Sequence, residues 1–462
     1  MIDNSEAFLG WESDKPREKC GVFGVIGLEG ELGKTATYIA LVGLQHRGQD
    51  GAGIVTHGPH KGTGVTGFGT VIDVFKEGQS LEGIPNGEVV IGHNRYSTNS
   101  GGALQPIIND HFSIAHNGHI EKLSNVDDRT DTQELAEMIE GRINNGFELR
   151  DAIQETLQGI EGAYSLIIAA EGILIGIRDP HGMRPLAMGR GKNGEICFAS
   201  EDSVLNSIEF RYERDVEPGE MVIVTKEGPE SRSIIPEDEP DPSRATCAFE
   251  FVYFARPDSN IEGRNVHIAR ANMGKILFEN EDEGFEADIV IGVPDSGVPA
   301  AIGYGKASPI EYEAGLTKNR YITRTFIKAN QDDRKKAVRL KQHVNPEITR
   351  GQRIVLIDDS IVRGTTTKEL VRMLKHENGG QAAEVHLRIA SPPYKWPCYF
   401  GMDTGDPAEL IANNMTHKEI VEYLGVDSLS YLSVEDVSRS IGIGLGKLCF
   451  ACANGQYPMK IE

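Results

Sequence analysis

Cysteine is scarce in this sequence, six in 462 residues, and so is tryptophan, with two. Too few cysteines for a disulfide-stapled scaffold, one pair of them spaced C-x-x-C, point to a reducing compartment, the cytoplasm. No run of eighteen apolar residues occurs, so no stretch is suited to span a bilayer as a helix. The first nineteen residues, MIDNSEAFLGWESDKPREK, lack the basic start and apolar middle of a secretory signal and are too acidic for a transit peptide. Residues 1–19 read instead as a propeptide or disordered tail. Positive charge is also short: 47 Lys and Arg against 69 Asp and Glu leave a net charge of -22. Most of the surface therefore repels nucleic acid and anionic membrane, and a phosphate-bearing partner needs a local basic patch.

What the chain has in quantity is glycine, 53 residues, within an ordinary globular composition. Its length suits two or three domains. From Cys20 to about residue 225, CGVFGVIG, GAGIVTHG, EVVIGHNRYST, FSIAHNG, YSLIIAAEGILIGIRD and GEMVIVTKEG read as short strands, rich in Val and Ile and bounded by turn residues. DTQELAEMIEGRI and LRDAIQETLQGI space apolar residues at three and four, as amphipathic helices do. This half is an α+β or layered α/β domain. EGPESRSIIPEDEPDPSRA, residues 227–245, has four prolines and no apolar face, and reads as a linker. Beyond it, apolar strand, polar loop and helix alternate, which predicts an α/β unit with a parallel, doubly wound sheet and ligands at the carboxyl ends of its strands. The last sixty residues look helical. The expected divisions are 1–19, 20–245 and 246–462.

RIVLIDDSIVRGTTTKEL is the most informative stretch. Arg353 to Ile357 form a buried strand with Asp358 and Asp359 at its end; a loop of hydroxyls and one glycine follows, and a helix begins near Thr367. Such a loop offers N–H groups and the positive end of a helix dipole to a phosphate. The two carboxylates would repel that phosphate, so ribose hydroxyls and Mg²⁺ are their natural partners. An isolated Asp-Asp more often caps a strand, but the flanking pattern speaks for a ligand. The stretch resembles the phosphoribosyl-pyrophosphate loop of type I phosphoribosyltransferases. That resemblance implies that Asp358 and Asp359 hold the ribose hydroxyls and Mg²⁺, and that Ser360, Ile361, Val362, Arg363, Gly364, Thr365 and Thr366 grip the 5-phosphate. VPDSGVPAA, residues 293–301, is then the loop on the pyrophosphate side, with Ser296 near the metal. NQDDRKKAVRLK gathers Arg334, Lys335, Lys336, Arg339 and Lys341, either as a solvated helix face or as a basic lid over the pyrophosphate.

Cys20, in REKCGVFG, gains meaning if residues 1–19 are removed. It then carries a free α-amine, with a pKa of about 7.7 to 8.0 in model compounds. That amine can take the thiol proton and later return one to departing ammonia. LQHRGQDGAG, GHNRYST, AHNGHI and TDTQE interrupt the strands with polar residues, and with CGVFGV they resemble the class II, N-terminal-nucleophile glutamine amidotransferases. The resemblance implies an αββα glutaminase domain in which Arg95 pairs with the α-carboxylate of glutamine and Asp131 with its α-ammonium. It also implies that the Asn117 amide and the Gly118 N–H form an oxyanion hole, and that Arg47 stands near the pocket.

The two halves together, with RDPHGMRPL, FEFVYFARPDS and KNRYITRTFI, resemble the glutamine phosphoribosylpyrophosphate amidotransferases. Glutamine and phosphoribosyl pyrophosphate are the implied substrates, purine nucleotides the implied inhibitors and a homotetramer the implied assembly. Spacing alone leaves Cys247, Cys398, Cys449 and Cys452 open to Zn²⁺ or an iron–sulfur cluster. The resemblance, closest to a Bacillus-type branch with a propeptide, implies a [4Fe–4S] cluster. Cys197 looks like core. Two other functions fit parts of the sequence: a regulator that binds phosphoribosyl pyrophosphate without transfer, and a glutaminase feeding a sugar-phosphate isomerase. The first needs no glutaminase half, and the Asp-Asp loop speaks against the second.

Overall fold

The computed structural model describes residues 20–58, 61–96, 103–120, 123, 129–236, 242–319, 339–376, 379–402 and 407–461. The expected propeptide, the polar Ser97 and Thr98, and Arg334, Lys335 and Lys336 of the basic run lie outside them.

The first half begins with β1 (Gly21–Ile26), α1 (Leu32–Gly43), β2 (Gly51–His57), β3 (Thr63–Phe68) and β4 (Val89–Arg95). It continues with β5 (Ile107–Ile108), β6 (Ser113–His119), α2 (Asp131–Asn144), α3 (Leu149–Leu157), β7 (Ala163–Ala170) and β8 (Ile173–Arg178). β9 (Ala187–Arg190), β10 (Ile196–Ala199), β11 (Arg211–Asp215), β12 (Glu220–Thr225) and β13 (Gly228–Ser233) complete it. Two antiparallel sheets result, in the orders β11-β9-β10-β1-β4-β2-β3 and β13-β12-β8-β7-β6-β5.

Alternation along the strands decides how they stack. Val22, Ile26 and Ile91 of one sheet meet Ala115, Ile167 and Val222 of the other in an inter-sheet core. Phe23 and Val25 turn outward onto Ala40 and Leu41 of α1. Leu166 and Ile168 turn outward onto Leu135, Ile139 and Ile153 of α2 and α3. The layers are therefore αββα. A capping box between Thr130 and Gln133 starts α2 and so fixes where Asp131 stands.

In the second half α4 (Val266–Glu279), β14 (Ile289–Gly292), α5 (Val298–Ala307), β15 (Glu311–Tyr312), β16 (Arg353–Asp358) and α6 (Thr365–Lys375) precede β17 (Glu384–Ile389), β18 (Ser428–Tyr431) and α7 (Val434–Ile441). The sheet, β15-β14-β16-β17-β18, is parallel throughout. Its strands are apolar on both sides. Val355 and Ile357 pack towards α4 and α5, while Ile354 and Leu356 pack towards Leu370 and Leu374 of α6. Chain order reverses between β14 and β16, so the crevice at their carboxyl ends is the natural ligand site. Thr246–Cys247 pairs in parallel with Leu448–Cys449, tying the start of this half to its end.

Two expectations need correction. The linker is shorter than its composition implied, because Gly228–Ser233 pairs with β12 as an edge strand where Pro229 is tolerated. The final sixty residues are not purely helical: β18 extends the parallel sheet, its Leu429 side chain completing one face of the core.

Candidate active site

Cys20 sits at the start of β1, only 8% exposed, with φ of 71° in the left-handed region that non-glycine residues rarely occupy. Arg95 lies at the end of β4, close enough to interact electrostatically with Cys20 and Asp50; burial lowers its pKa and those two groups partly restore it. The ring of Phe68 stacks 5.7 Å below its guanidinium. Gly118, on β6, has φ of 147°, and a Cβ there would fall 1.9 Å from the Ala163 carbonyl oxygen, so only glycine fits. Asn117 beside it is fully buried, and neither its amide oxygen nor its amide nitrogen has a partner among the described residues. Such a group is costly unless something else completes its hydrogen bonds.

Asp131, on the first turn of α2, accepts from the Ile120 N–H at 3.1 Å and lies 3.5 Å from His119 Nδ1. Burial alone would raise its pKa, but the neighbouring His116 and His119 and the Ile120 N–H hold it well below the usual carboxylate range. His93, fully buried, contacts the His116 carbonyl at 3.1 Å. Burial lowers its pKa to about 3, so it is neutral at physiological pH.

On the other half, Asp358 and Asp359 end β16, both 1% exposed. Asp358 Oδ1 accepts from the Asp359 N–H at 2.9 Å, and Asp359 accepts from the hydroxyls of Ser360, at 2.6 Å, and of Ser296. Ser296 follows β14, so the two loops predicted to face one ligand do meet across the switch point. Gly364, φ 80°, opens α6. Ser360, Ile361 and Val362 are buried, and Thr365 and Thr366 form the first turn of the helix. Arg363 pairs with Glu409 at 2.6 Å. Arg339 pairs with Glu369 at 2.7 Å, and the Lys341 carbonyl accepts from the Asn319 N–H. The carboxylate and hydroxyl set of Asp358, Asp359 and Ser296 fits a hard cation such as Mg²⁺.

Cys247, Cys398, Cys449 and Cys452 line one cavity, with Met183, Arg184, Phe400 and Met402 also in its wall. The cysteines are free thiols. Burial raises the Cys449 pKa to about 12 and pushes Cys247 and Cys452 well above their ordinary value. Among the described residues no three His, Cys, Asp or Glu side chains converge as a ready-made metal site. Common lining is a weaker criterion than converging ligands, and only the first is met. The donor chemistry, four sulfurs in a mostly apolar wall, suits a soft metal or cluster. Cys197 is fully buried in β10.

A buried charge network went unassigned in the sequence. Arg47 donates to Glu201 and, at 3.0 and 3.1 Å, to both oxygens of Glu250, which lies in a π-helical turn, Glu250–Phe254. Arg184 reaches Glu250 at 3.3 Å and the Phe400 carbonyl at 2.7 Å. All four side chains are at most 1% exposed. Arg47, Glu250 and Arg184 at least stand in the polar stretches LQHRGQDGAG, FEFVYFARPDS and RDPHGMRPL, whereas Glu201 stands in none of them.

An αββα sandwich of the N-terminal-nucleophile type, followed by a parallel-sheet phosphoribosyltransferase domain, defines a two-domain glutamine amidotransferase. The profile of the glutamine amidotransferase domain family matches residues 93–207. Over its whole length the chain resembles amidophosphoribosyltransferase 1, chloroplastic, of Arabidopsis thaliana, at 40% identity across 99% of this chain and 82% of that protein. The amidophosphoribosyltransferase of Bacillus subtilis is also 40% identical, across 96% of this chain and 95% of that one. The solved glutamine phosphoribosylpyrophosphate amidotransferase of B. subtilis, complexed with ADP and GMP, superposes with a TM-score of 0.86 at 40% identity, over 96% of this chain and 98% of that one. The chain belongs to the amidophosphoribosyltransferase family.

Proposed function

We infer that the protein moves the amide nitrogen of glutamine, as ammonia, onto C1 of 5-phosphoribosyl 1-pyrophosphate. The products are 5-phosphoribosylamine, glutamate and pyrophosphate, in the first committed step of purine synthesis. The observation that carries this function is that one chain joins an αββα sandwich, with Cys20 at the start of its β1, to a parallel-sheet half in which Ser296 and Asp359 meet at the crevice.

Removal of residues 1–19 frees the Cys20 α-amine to take the thiol proton. The thiolate attacks the amide carbon, and Asn117 and Gly118 donate to the oxyanion, typically worth about 2.7 to 4 kcal/mol per donor. Ammonia leaves with a proton from the α-ammonium, and water hydrolyses the thioester to glutamate. Arg95 and Asp131 hold the α-carboxylate and α-ammonium of glutamine; Arg47 acts behind the pocket. The released ammonia passes through the interior and displaces pyrophosphate from C1. Asp358 and Asp359 bind the ribose hydroxyls, and residues 360–366 the 5-phosphate, with Lys341 at the pyrophosphate side. Asp358, Asp359 and Ser296 would hold Mg²⁺, whose charge stabilises the departing pyrophosphate.

Cys247, Cys398, Cys449 and Cys452 are assigned to a [4Fe–4S] cluster of structural role; four sulfurs around one cavity support this. Residues 1–19 are taken as propeptide, 20–245 as glutaminase and 246–462 as phosphoribosyltransferase, in a cytoplasmic homotetramer. The free thiols favour the cytoplasm, and no described helix is long and apolar enough to cross a membrane. Purine nucleotides are the expected inhibitors. The relative solved with ADP and GMP supports this, as does a 40% identical structure described as the allosteric regulatory enzyme of purine biosynthesis.

The test is pyrophosphate release with Mg²⁺ and phosphoribosyl pyrophosphate, comparing glutamine with ammonia, on wild type and Cys20→Ala. Loss of the glutamine reaction alone in the variant is expected. No release from folded, processed wild type with either nitrogen source would leave only a binding protein.

A further inference from the structure

Gly118 is enclosed from two sides. Within its own sheet the Ala163 carbonyl leaves no room for a side chain. From the other half of the protein, Gly401 faces it: a Cβ at residue 401 would meet the Gly118 carbonyl carbon at 3.4 Å, an ordinary van der Waals distance, and would crowd Arg184 Nη2 at 2.8 Å. Gly401 has φ of 113°, a conformation that glycine alone adopts without strain. The preceding residue is tied down. The Phe400 carbonyl accepts from Arg184 Nη2 at 2.7 Å and Nε at 3.2 Å, and the Phe400 N–H donates to Cys398 Sγ at 3.4 Å. Arg184 is itself held by Glu250. Both halves of the chain thus fix where Gly401 stands.

We propose that Gly401 is a positioning residue for the glutamine half-reaction: it holds the Gly118 backbone against β7, so that its N–H keeps the direction the oxyanion needs. This role rests on the amidotransferase function above. Gly401 touches neither glutamine nor Cys20 in this scheme; it acts through Gly118, with Arg184 as its anchor.

The test uses the processed full-length enzyme as wild type, Gly401→Ala and Arg184→Lys. Pyrophosphate release is followed with glutamine and with ammonia, and inhibition is compared between glutamate and glutamate γ-semialdehyde. The aldehyde adds to the Cys20 thiol and yields a tetrahedral oxygen in the oxyanion position; glutamate does not. Interactions made only in the tetrahedral state affect kcat and the aldehyde, but not ground-state binding.

Gly401→Ala should lower the glutamine-dependent kcat by about 10- to 100-fold and weaken the aldehyde in parallel. The glutamine KM, glutamate inhibition and ammonia-dependent rate should stay within about twofold of wild type. Arg184→Lys keeps the charge but loses the forked donation to Phe400, and should move the same quantities by a smaller factor. It carries the test alone if the alanine variant does not fold. An equal fall with both nitrogen sources, an equal loss of aldehyde and glutamate binding, or an unchanged glutamine kcat would each overturn the positioning role. A wild type with no glutamine-dependent release overturns the proposed function first, and this role with it.

Discussion

Arg47 Nη2 donates to both carboxylate oxygens of Glu250, at 3.0 and 3.1 Å, across 203 residues of sequence and between the two halves of the protein. Arg47 also reaches Glu201, and Glu250 also receives Arg184, so the pair belongs to a larger buried set. Removing one partner of a buried pair leaves the other charge desolvated without compensation.

Glu250→Gln is therefore expected to destabilise the protein by about 3 kcal/mol, near the lower end of the usual range because Arg47 keeps Glu201. Urea unfolding of wild type and variant at one pH measures it. An unchanged midpoint would mean that the network contributes nothing net.

Asn117→Ala removes a buried amide that has no partner among the described residues. The folded protein should lose little stability, while the glutamine-dependent kcat falls by about 10²- to 10³-fold. Steady-state kinetics with ammonia, which bypasses the oxyanion, should be unaffected.

Asp359→Asn leaves the loop its hydrogen-bonding shape but removes a charge from the crevice shared with Ser296. Both the glutamine- and the ammonia-dependent reactions should fall together, with binding of phosphoribosyl pyrophosphate in Mg²⁺ weakened; calorimetry of that binding checks it.

His93 has its pKa lowered by burial to about 3, against about 6.5 in an unfolded chain. Between those values the unfolded chain binds a proton that the folded one refuses. The stabilisation from the neutral ring is thus complete above about pH 6.5 and declines as pH falls towards 3, by about 1.4 kcal/mol per pH unit. His93→Gln should flatten the slope of stability against pH across that window, which denaturant unfolding from pH 7.5 down to 4.5 would reveal.

Anaerobically prepared protein should contain iron and acid-labile sulfide in [4Fe–4S] proportion, and Cys452→Ser should lose both. Zinc in their place, or full activity after aerobic loss of the colour, would reject the cluster assignment.

The sandwich was legible because period-two alternation and glycine-bounded runs identify strands locally, and the parallel sheet because strand, loop and helix alternate. The edge strand Gly228–Ser233 was not, since an exposed edge needs no apolar face and its Pro229 looks like a breaker. Asp358, Asp359 and Ser296 were legible as loop chemistry, and their meeting across β14 and β16 follows from the doubly wound topology. Arg184, Glu201 and Glu250 were hidden for a physical reason: a buried salt bridge between distant segments has no local periodicity, and each residue alone looks like ordinary surface charge. The same holds for Gly401, whose importance depends on what stands opposite it.

The parallel pairing of Cys247 with Cys449 has a consequence for biosynthesis. The wall of the cysteine cavity combines Cys247, near the start of the second half, with Cys449 and Cys452, which are made much later in the chain. The sandwich strands are complete by Ser233, so that sheet pair can assemble during translation. The cavity can close only once Cys449 and Cys452 have been made. A nascent chain stalled short of Cys449 would leave the Cys247 and Cys398 thiols without the half of that wall that Cys449 and Cys452 supply.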